Sequence, residues 1–176
     1  METSIDNYNP VAHCSTVLLN IGFMERSDED MYFYKDGVTP SVGAVEDKVD
    51  AERLAVAKAL GVKATPTPEW LRRYYGATDI SSIYTAVQST PVFRSHKMPA
   101  HSWRYSLDEM VPYGLVPIAS LGNALGVPTP VTDAVVDLTS AVDGRDYWSE
   151  GTSVEKMGLK GFSTEQIIRY VNEPTS

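Results

Sequence analysis

The chain has 176 residues, 43% of them hydrophobic, which suits one domain of ordinary size with a core that needs no disulfide or structural metal. Its 23 acidic against 15 basic side chains give a formal charge of −8, which argues against non-specific nucleic acid and anionic membrane surfaces as partners, since both are held through Lys/Arg contacts to phosphate. The one cysteine, Cys14, excludes an internal disulfide and predicts a reducing, cytoplasmic compartment, and Met1-Glu2-Thr3-Ser4-Ile5-Asp6 has neither the basic nor the apolar region of a secretory leader.

Helix starts are written as a small polar residue followed by proline: Asn9-Pro10, Thr39-Pro40, Thr67-Pro68 and Thr129-Pro130. The first side chain can accept an orphan N–H, and proline at the first helical position gives up a donor that had no partner. The first helix is predicted from Pro10 to about Asn20, followed by loop or strand over the acidic, aromatic stretch Glu25 to Tyr34. The clearest helix runs from Pro40 to Leu60, with Val42, Val45, Val49, Val56 and Leu60 at helical spacing and charged residues mostly between them. Gly61 is its expected C′ residue.

A short helix is expected around Trp70 to Tyr75, and another capped by Asp79 with Ile83 and Val87 on its apolar side. Thr90 to Trp103, carrying His96 and His101, reads as irregular loop. Helices follow from Pro112 to Leu125, closed by Gly126, and from Pro130 to Val142, and Ser163 with Gln166 forms the capping box of the last one, which ends near Val171. There is no strand–helix alternation, so the expectation is one all-α domain.

No G-x-G-x-x-G turn, P-loop, G-x-S-x-G elbow or metal-ligand spacing is present. Gly122 and Gly126, four apart in a helical segment, suit close helix packing. Two places could carry chemistry. His13 falls in the first turn of an apolar helix, where the dipole disfavours added positive charge, so its imidazole should be neutral near pH 7 and available as acid or base. Arg104, ahead of the adjacent acids Asp108 and Glu109, is the side chain best matched to a substrate carboxylate, and a nearby acid could hold a histidine N–H. Their ordinary readings are a histidine packed at a helix end, and a surface ion pair with acids complementing a helix dipole. Cys14 reads as a small buried hydrophobe, and Trp70, Tyr74 and Tyr75 as core or interface.

Taken in order, these segments resemble the C-terminal domain of octopine/nopaline-type opine dehydrogenases. The likeness rests on Asn9-Pro10-Val11-Ala12-His13 with Leu18-Leu19-Asn20, and on Tyr34-x-x-Gly37-x-Thr39-Pro40-Ser41 leading to Asp50-Ala51-Glu52-Arg53-Leu54. It continues in Arg104-Tyr105 with the acidic pair and Val111-Pro112-Tyr113-Gly114-Leu115-Val116-Pro117, then Gly126 to Pro130, then Gly144-Arg145-Asp146-Tyr147-Trp148.

The resemblance implies an all-helical domain similar to the C-terminal domain of 6-phosphogluconate dehydrogenase, with the Rossmann domain absent. It implies the substrate side of an enzyme that condenses an amino acid with an α-keto acid and reduces the imine with NADH or NADPH, the NAD or NADP being held mainly by a Rossmann domain in cis or trans, with no metal. Carried over, His13 is the acid/base, Arg104 the carboxylate clamp, and Asn9 lies on the substrate side. Counting forward from Arg104 selects Glu109 as the histidine's partner, whereas matching residue type selects Asp108, because Met110 separates the acids from Val111-Pro112. The alternative is a stand-alone helical remnant that forms a homodimer or binds amino or keto acids without turnover.

Overall fold

The computed structural model describes residues 2–26, 31–98 and 103–172, with the side chains of residues 2, 3, 98, 103 and 104 outside that description. In chain order the elements are α1 (Glu2–Ile5), α2 (Asn9–Arg26), β1 (Met31–Tyr32), α3 (Phe33–Gly37), α4 (Pro40–Ala59), α5 (Thr67–Tyr75) and α6 (Ile83–Ser89). A 3₁₀ turn (Pro91–Ser95), β2 (Lys97–Met98), α7 (Trp103–Met110), a π-helical turn (Val111–Leu115), α8 (Val116–Leu125), α9 (Pro130–Asp143), α10 (Tyr147–Glu150) and α11 (Thr164–Asn172) complete it. The all-α expectation holds: the described sheet is one antiparallel ladder pairing Met31 with Met98 and Tyr32 with Lys97.

α4 packs against α2, α6, α8 and α9. It begins as expected, the Thr39 hydroxyl accepting the Val42 N–H, and Gly61 follows it at φ +71°. Its charged residues do not all stand apart from the apolar side. Glu46, Asp50 and Arg53 are buried with Val42, Val49 and Val56, so the inward stripe alternates apolar and charged side chains.

Four charged side chains of α4 bond neighbouring elements. Arg53 donates to the Ile5 carbonyl (2.5 Å), the Thr65 carbonyl (2.6 Å) and Asp50 (2.7 Å), tying α1 and the 61–66 connection to α4. Asp50 also takes the Thr67 N–H (3.0 Å) and hydroxyl (2.7 Å) at the start of α5. Asp47 takes the Ile83 N–H at the start of α6 (2.9 Å), and Glu52 takes the Val131 and Thr132 N–H groups at the start of α9 (2.9 and 2.8 Å). One helix thus supplies the anionic caps that three others need at their N-termini.

That arrangement corrects the proline-linked caps. Neither Thr67 nor Thr129 caps its helix with its own side chain, because Asp50 and Glu52 already do so, and the Asn9 N–H is taken by Asn7 Oδ1 (3.1 Å). The cap of α6 is Ser82, in a reciprocal box with Thr85, while Asp79 holds the Ser81 N–H and hydroxyl. The Ser163–Gln166 box stands as expected, with bonds of 2.8 and 3.3 Å.

Three further boundaries differ. α2 continues past Asn20 and Gly22 to Arg26, and Thr90 to Met98 is a 3₁₀ turn and a strand instead of loop. The helix expected to start at Pro112 begins at Trp103 and passes through the π turn into α8. Pro117 explains the widening: it has no N–H, and the Pro112 carbonyl is taken by the Thr152 N–H instead (2.9 Å). A methyl group at Gly114 would stand 2.4 Å from a Pro10 side-chain atom, so the π turn sits directly on the start of α2.

The larger apolar cluster gathers Val11, Cys14 and Val17 of α2, Phe33 and Tyr34, Leu107, Val111, Leu115 and Tyr147. A smaller one joins Ile5, Val56, Leu60, Ile118, Leu121, Leu159 and Ile167. Cys14 is fully buried and burial raises its thiol, consistent with a small hydrophobe. Among the described residues no helix is long and apolar enough to cross a membrane.

Candidate active site

His13 lies one turn into α2, on the side that meets α3 and α7. Its Nε2 is 2.9 Å from the Tyr34 hydroxyl and its Nδ1 is 3.2 Å from the Met110 sulfur. Phe33 meets the ring edge-on at 5.3 Å. Tyr34 in turn stacks on Phe93 (3.9 Å, 12°), and the Tyr8 phenol is electrostatically coupled to it. Gln88 of α6 fixes the segment by donating to the carbonyls of Tyr34, Lys35 and Val38. The short ladder places His96 alongside: the Phe33 N–H bonds its carbonyl (2.9 Å), and its ring is 5.5 Å from Tyr34.

Burial pushes the His13 imidazole down to about 4, and the charge of His96 adds to that. The ring is therefore neutral at pH 7, as expected from the sequence, but the leading cause is desolvation and not the helix dipole. Burial likewise pushes the Tyr34 phenol up to about 12, so it stays protonated and can donate to, or accept from, Nε2. The other nitrogen meets a thioether, a weak acceptor, and is the position a stronger hydrogen-bonding group can occupy.

Neither acid named from the sequence is bonded to His13. Asp108 is half exposed and accepts from Arg145 and from the Tyr147 hydroxyl (3.2 Å). Arg145 also bonds Glu150 and lies over the Tyr147 ring at 4.7 Å. Two residues along a helix are about 200° of rotation, so Asp108 leaves α7 on the side opposite Met110 and His13. Glu109 is exposed, next to Met110. Arg104 is the second residue of α7, with its side chain outside the described residues, and His101 also lies outside them. Asn9, four residues before His13, shares its face of α2.

Tyr34, Met110, Phe93 and Tyr8 carry no signal in the sequence that marks them as a site. Tyr34 and Met110 stand 21 and 97 residues from His13, and no local spacing links them. A second group missed is Glu46, which the spacing of α4 sets only among the charged residues between its valines. It is fully buried, its Oε1 accepts the Thr16 hydroxyl at 2.7 Å, and its Oε2 has no partner. Burial pushes its carboxyl up to about 8, against the Thr16 hydrogen bond, with the Asp47 charge raising it further.

A dinucleotide needs a glycine turn between a strand and a helix N-terminus. Among the described residues the positive-φ glycines instead follow helix C-termini (Gly61, Gly76, Gly126, Gly144) or lie in the 151–163 connection (Gly158, Gly161). The described residues therefore do not fit a nicotinamide dinucleotide by themselves. No group of three or more His, Cys, Asp or Glu among them could hold a metal ion.

The sequence profile of the NAD/NADP octopine/nopaline dehydrogenase α-helical domain matches residues 1–142. An opine dehydrogenase of Arthrobacter sp. (strain 1C) is 41% identical over 168 residues, 95% of this chain and 46% of that protein. Protein ocs of Agrobacterium tumefaciens (strain Ach5) is 27% identical over 169 residues, 94% of this chain and again 46% of its own length. The chain therefore spans about half the length of the curated relatives it matches. Solved structures of octopine dehydrogenase with NADH and L-arginine, and with NADH and agmatine, superpose with TM-scores of 0.73 and 0.74 at 17% and 16% identity, covering 99% of this chain and 50% of theirs, a likeness of fold. A helical body with the same fold, a profile match over most of its length and a relative at 41% identity place this chain in the octopine/nopaline dehydrogenase family, as its α-helical domain.

Proposed function

We propose that this chain is the substrate-side half of an NAD(P)-dependent opine dehydrogenase, joining the amino group of an amino acid to an α-keto acid by reductive condensation. The nicotinamide cofactor supplies the hydride from a Rossmann domain in cis or trans. The residues of this chain bind the two small acids and move protons. Forming an imine from a ketone and a neutral amine releases water, so two protons must leave the amine nitrogen and two must reach the departing oxygen. A neutral imidazole suits both transfers. His13 handles the proton at Nδ1, where among the described residues the Met110 thioether competes, while Tyr34 at Nε2 gives or takes the matching hydrogen bond.

Of the two acids, Glu109 is the one assigned to the reacting side. It is one residue from Met110, about 100° around α7, whereas Asp108 is engaged with Arg145 and Tyr147 on the far side. Arg104 clamps a substrate carboxylate through paired charge-assisted bonds, and Asn9 contributes from the His13 face of α2.

The observation that carries this reading is the His13 ring itself: partly buried, uncharged, walled by Phe33 and Tyr34, and met at one nitrogen by sulfur. The test joins this chain to the cofactor-binding half of the Arthrobacter relative and follows NAD(P)H oxidation with pyruvate and a panel of amino acids. Oxidation should require both acids and fall by roughly 10²–10⁴-fold in His13→Asn. No oxidation with any pair, or turnover by the chain without the added half, overturns the proposal.

A further inference from the structure

We propose that Glu46 is a positioning residue for His13: a neutral carboxylic acid in the core whose proton sets, through Tyr34, the electrostatic environment of the imidazole. A closed circuit of contacts supports it. Glu46 Oε1 accepts the Thr16 hydroxyl at 2.7 Å, and Thr16 lies one turn beyond His13 on α2. Asn20 Nδ2 donates to both the Thr16 carbonyl (2.8 Å) and the Gly37 carbonyl (3.0 Å), clasping α2 to the end of α3. A methyl group at Gly37 would stand 2.9 Å from Thr16 Cγ2, so α3 sits directly on the residue that holds Glu46. Tyr34, one turn back on α3, bonds His13 Nε2 at 2.9 Å, and a negative charge on Glu46 would raise its phenol further.

Among the described residues no counter-charge offsets Glu46. On α4, Asp47 is a second acid beside it, and the Asp50–Arg53 pair is engaged with itself and with Thr67, Ile5 and Thr65. α2 presents His13 and α3 presents Tyr34, with Lys35 and Asp36 exposed. α6 offers only Tyr84 as a titratable group, α8 none, and α9 only the acids Asp133, Asp137 and Asp143. An ionised Glu46 would therefore sit in the core with one hydrogen bond and an oxygen without a partner, so it takes up a proton. While it is protonated, no anion lies behind Tyr34 and the His13 ring gains no extra basicity. Once it ionises, the added negative charge stabilises the imidazolium and keeps the phenol of Tyr34 protonated.

The link to turnover rests on His13 being the acid–base group, but the coupling is measurable without turnover. The experiment is an NMR titration of the His13 and Tyr34 ring resonances in the 176-residue chain from pH 6 to 10. The wild type should show an inflection near pH 8 that Glu46→Gln, a neutral mimic of the acid, removes while leaving the circular-dichroism spectrum unchanged. Thr16→Val removes the one bond that favours the carboxylate and should move the midpoint upward by about one pH unit. It also keeps the test alive should Glu46→Gln fail to fold. No inflection in the wild type, one that survives Glu46→Gln, or one that Thr16→Val leaves in place overturns the proposal. If the coupling is found but the reconstituted enzyme is indifferent to His13→Asn, the functional reading fails and the electrostatic link stands. Turnover that depends on His13, with no inflection, sinks the link and leaves the functional reading standing.

Discussion

Because burial lowers the His13 imidazole from 6.5 to about 4, the folded chain binds fewer protons than the unfolded one between those values. The stability this contributes is complete above pH 6.5 and lost as the pH falls through 4, with a slope of up to about 1.4 kcal/mol per pH unit. Glu46 acts with the opposite sign. Its carboxyl is raised from 4.5 to about 8, so the folded chain holds an extra proton in that window. That contribution is complete below pH 4.5 and lost as the pH rises through 8. The two slopes oppose each other from pH 4.5 to 6.5. Urea unfolding should therefore show Glu46→Gln losing stability more steeply than wild type as the pH falls across that interval, and His13→Asn losing it more steeply as the pH rises. Parallel pH profiles for wild type and both variants would contradict these residue-scale assignments. His13 was legible in the sequence because an imidazole near a helix start is conspicuous. Glu46 was not, because a carboxylate on a helix is normally solvated and only its surroundings show otherwise.

At the scale of the element, α4 acts as a shared scaffold for the ends of its neighbours. Glu52 accepts two backbone N–H groups and the Thr132 hydroxyl at the start of α9, so Glu52→Ala should destabilise the chain by about 1–2 kcal/mol in thermal or denaturant unfolding. Arg53→Ala should cost more, about 3–5 kcal/mol, because it strands the buried Asp50 as well as the Ile5 and Thr65 carbonyls. The π turn offers a third case: Gly114→Ala drives a methyl group into Pro10 and should cost about 1–3 kcal/mol, with a loss of near-ultraviolet signal where α2 meets the turn. The helical period of α4 was legible in its valines. The direction of its charges was not, since the same spacing describes a solvated acid and one that caps a neighbour 79 residues away, as Glu52 does.

For the whole molecule, the proposed function is a division of labour. The described residues hold the His13 ring and the helix caps that α4 supplies, and they show no glycine turn between a strand and a helix. The isolated chain should therefore leave NADH fluorescence unchanged at micromolar protein, whereas the same chain joined to a cofactor-binding half should enhance or quench it saturably. Saturable binding of NADH by the chain alone would contradict that division. The family, the all-α class and the missing nucleotide turn were all open to a reader of the sequence, because each is expressed in short ordered motifs or in their lack.

What the sequence determined by itself was local: where most helices lie, which stops and starts are sharp, and that His13 opens an apolar helix. Hydrophobic period, capping chemistry and proline stereochemistry act over a few residues and can be read there. What only the tertiary structure decided was partnership. Tyr34 and Met110, not an adjacent acid, occupy the two nitrogens of His13, Arg145 claims Asp108, and Glu46 is buried. Hydrogen bonding and desolvation depend on which surfaces meet, and helices far apart in the chain meet only after it folds.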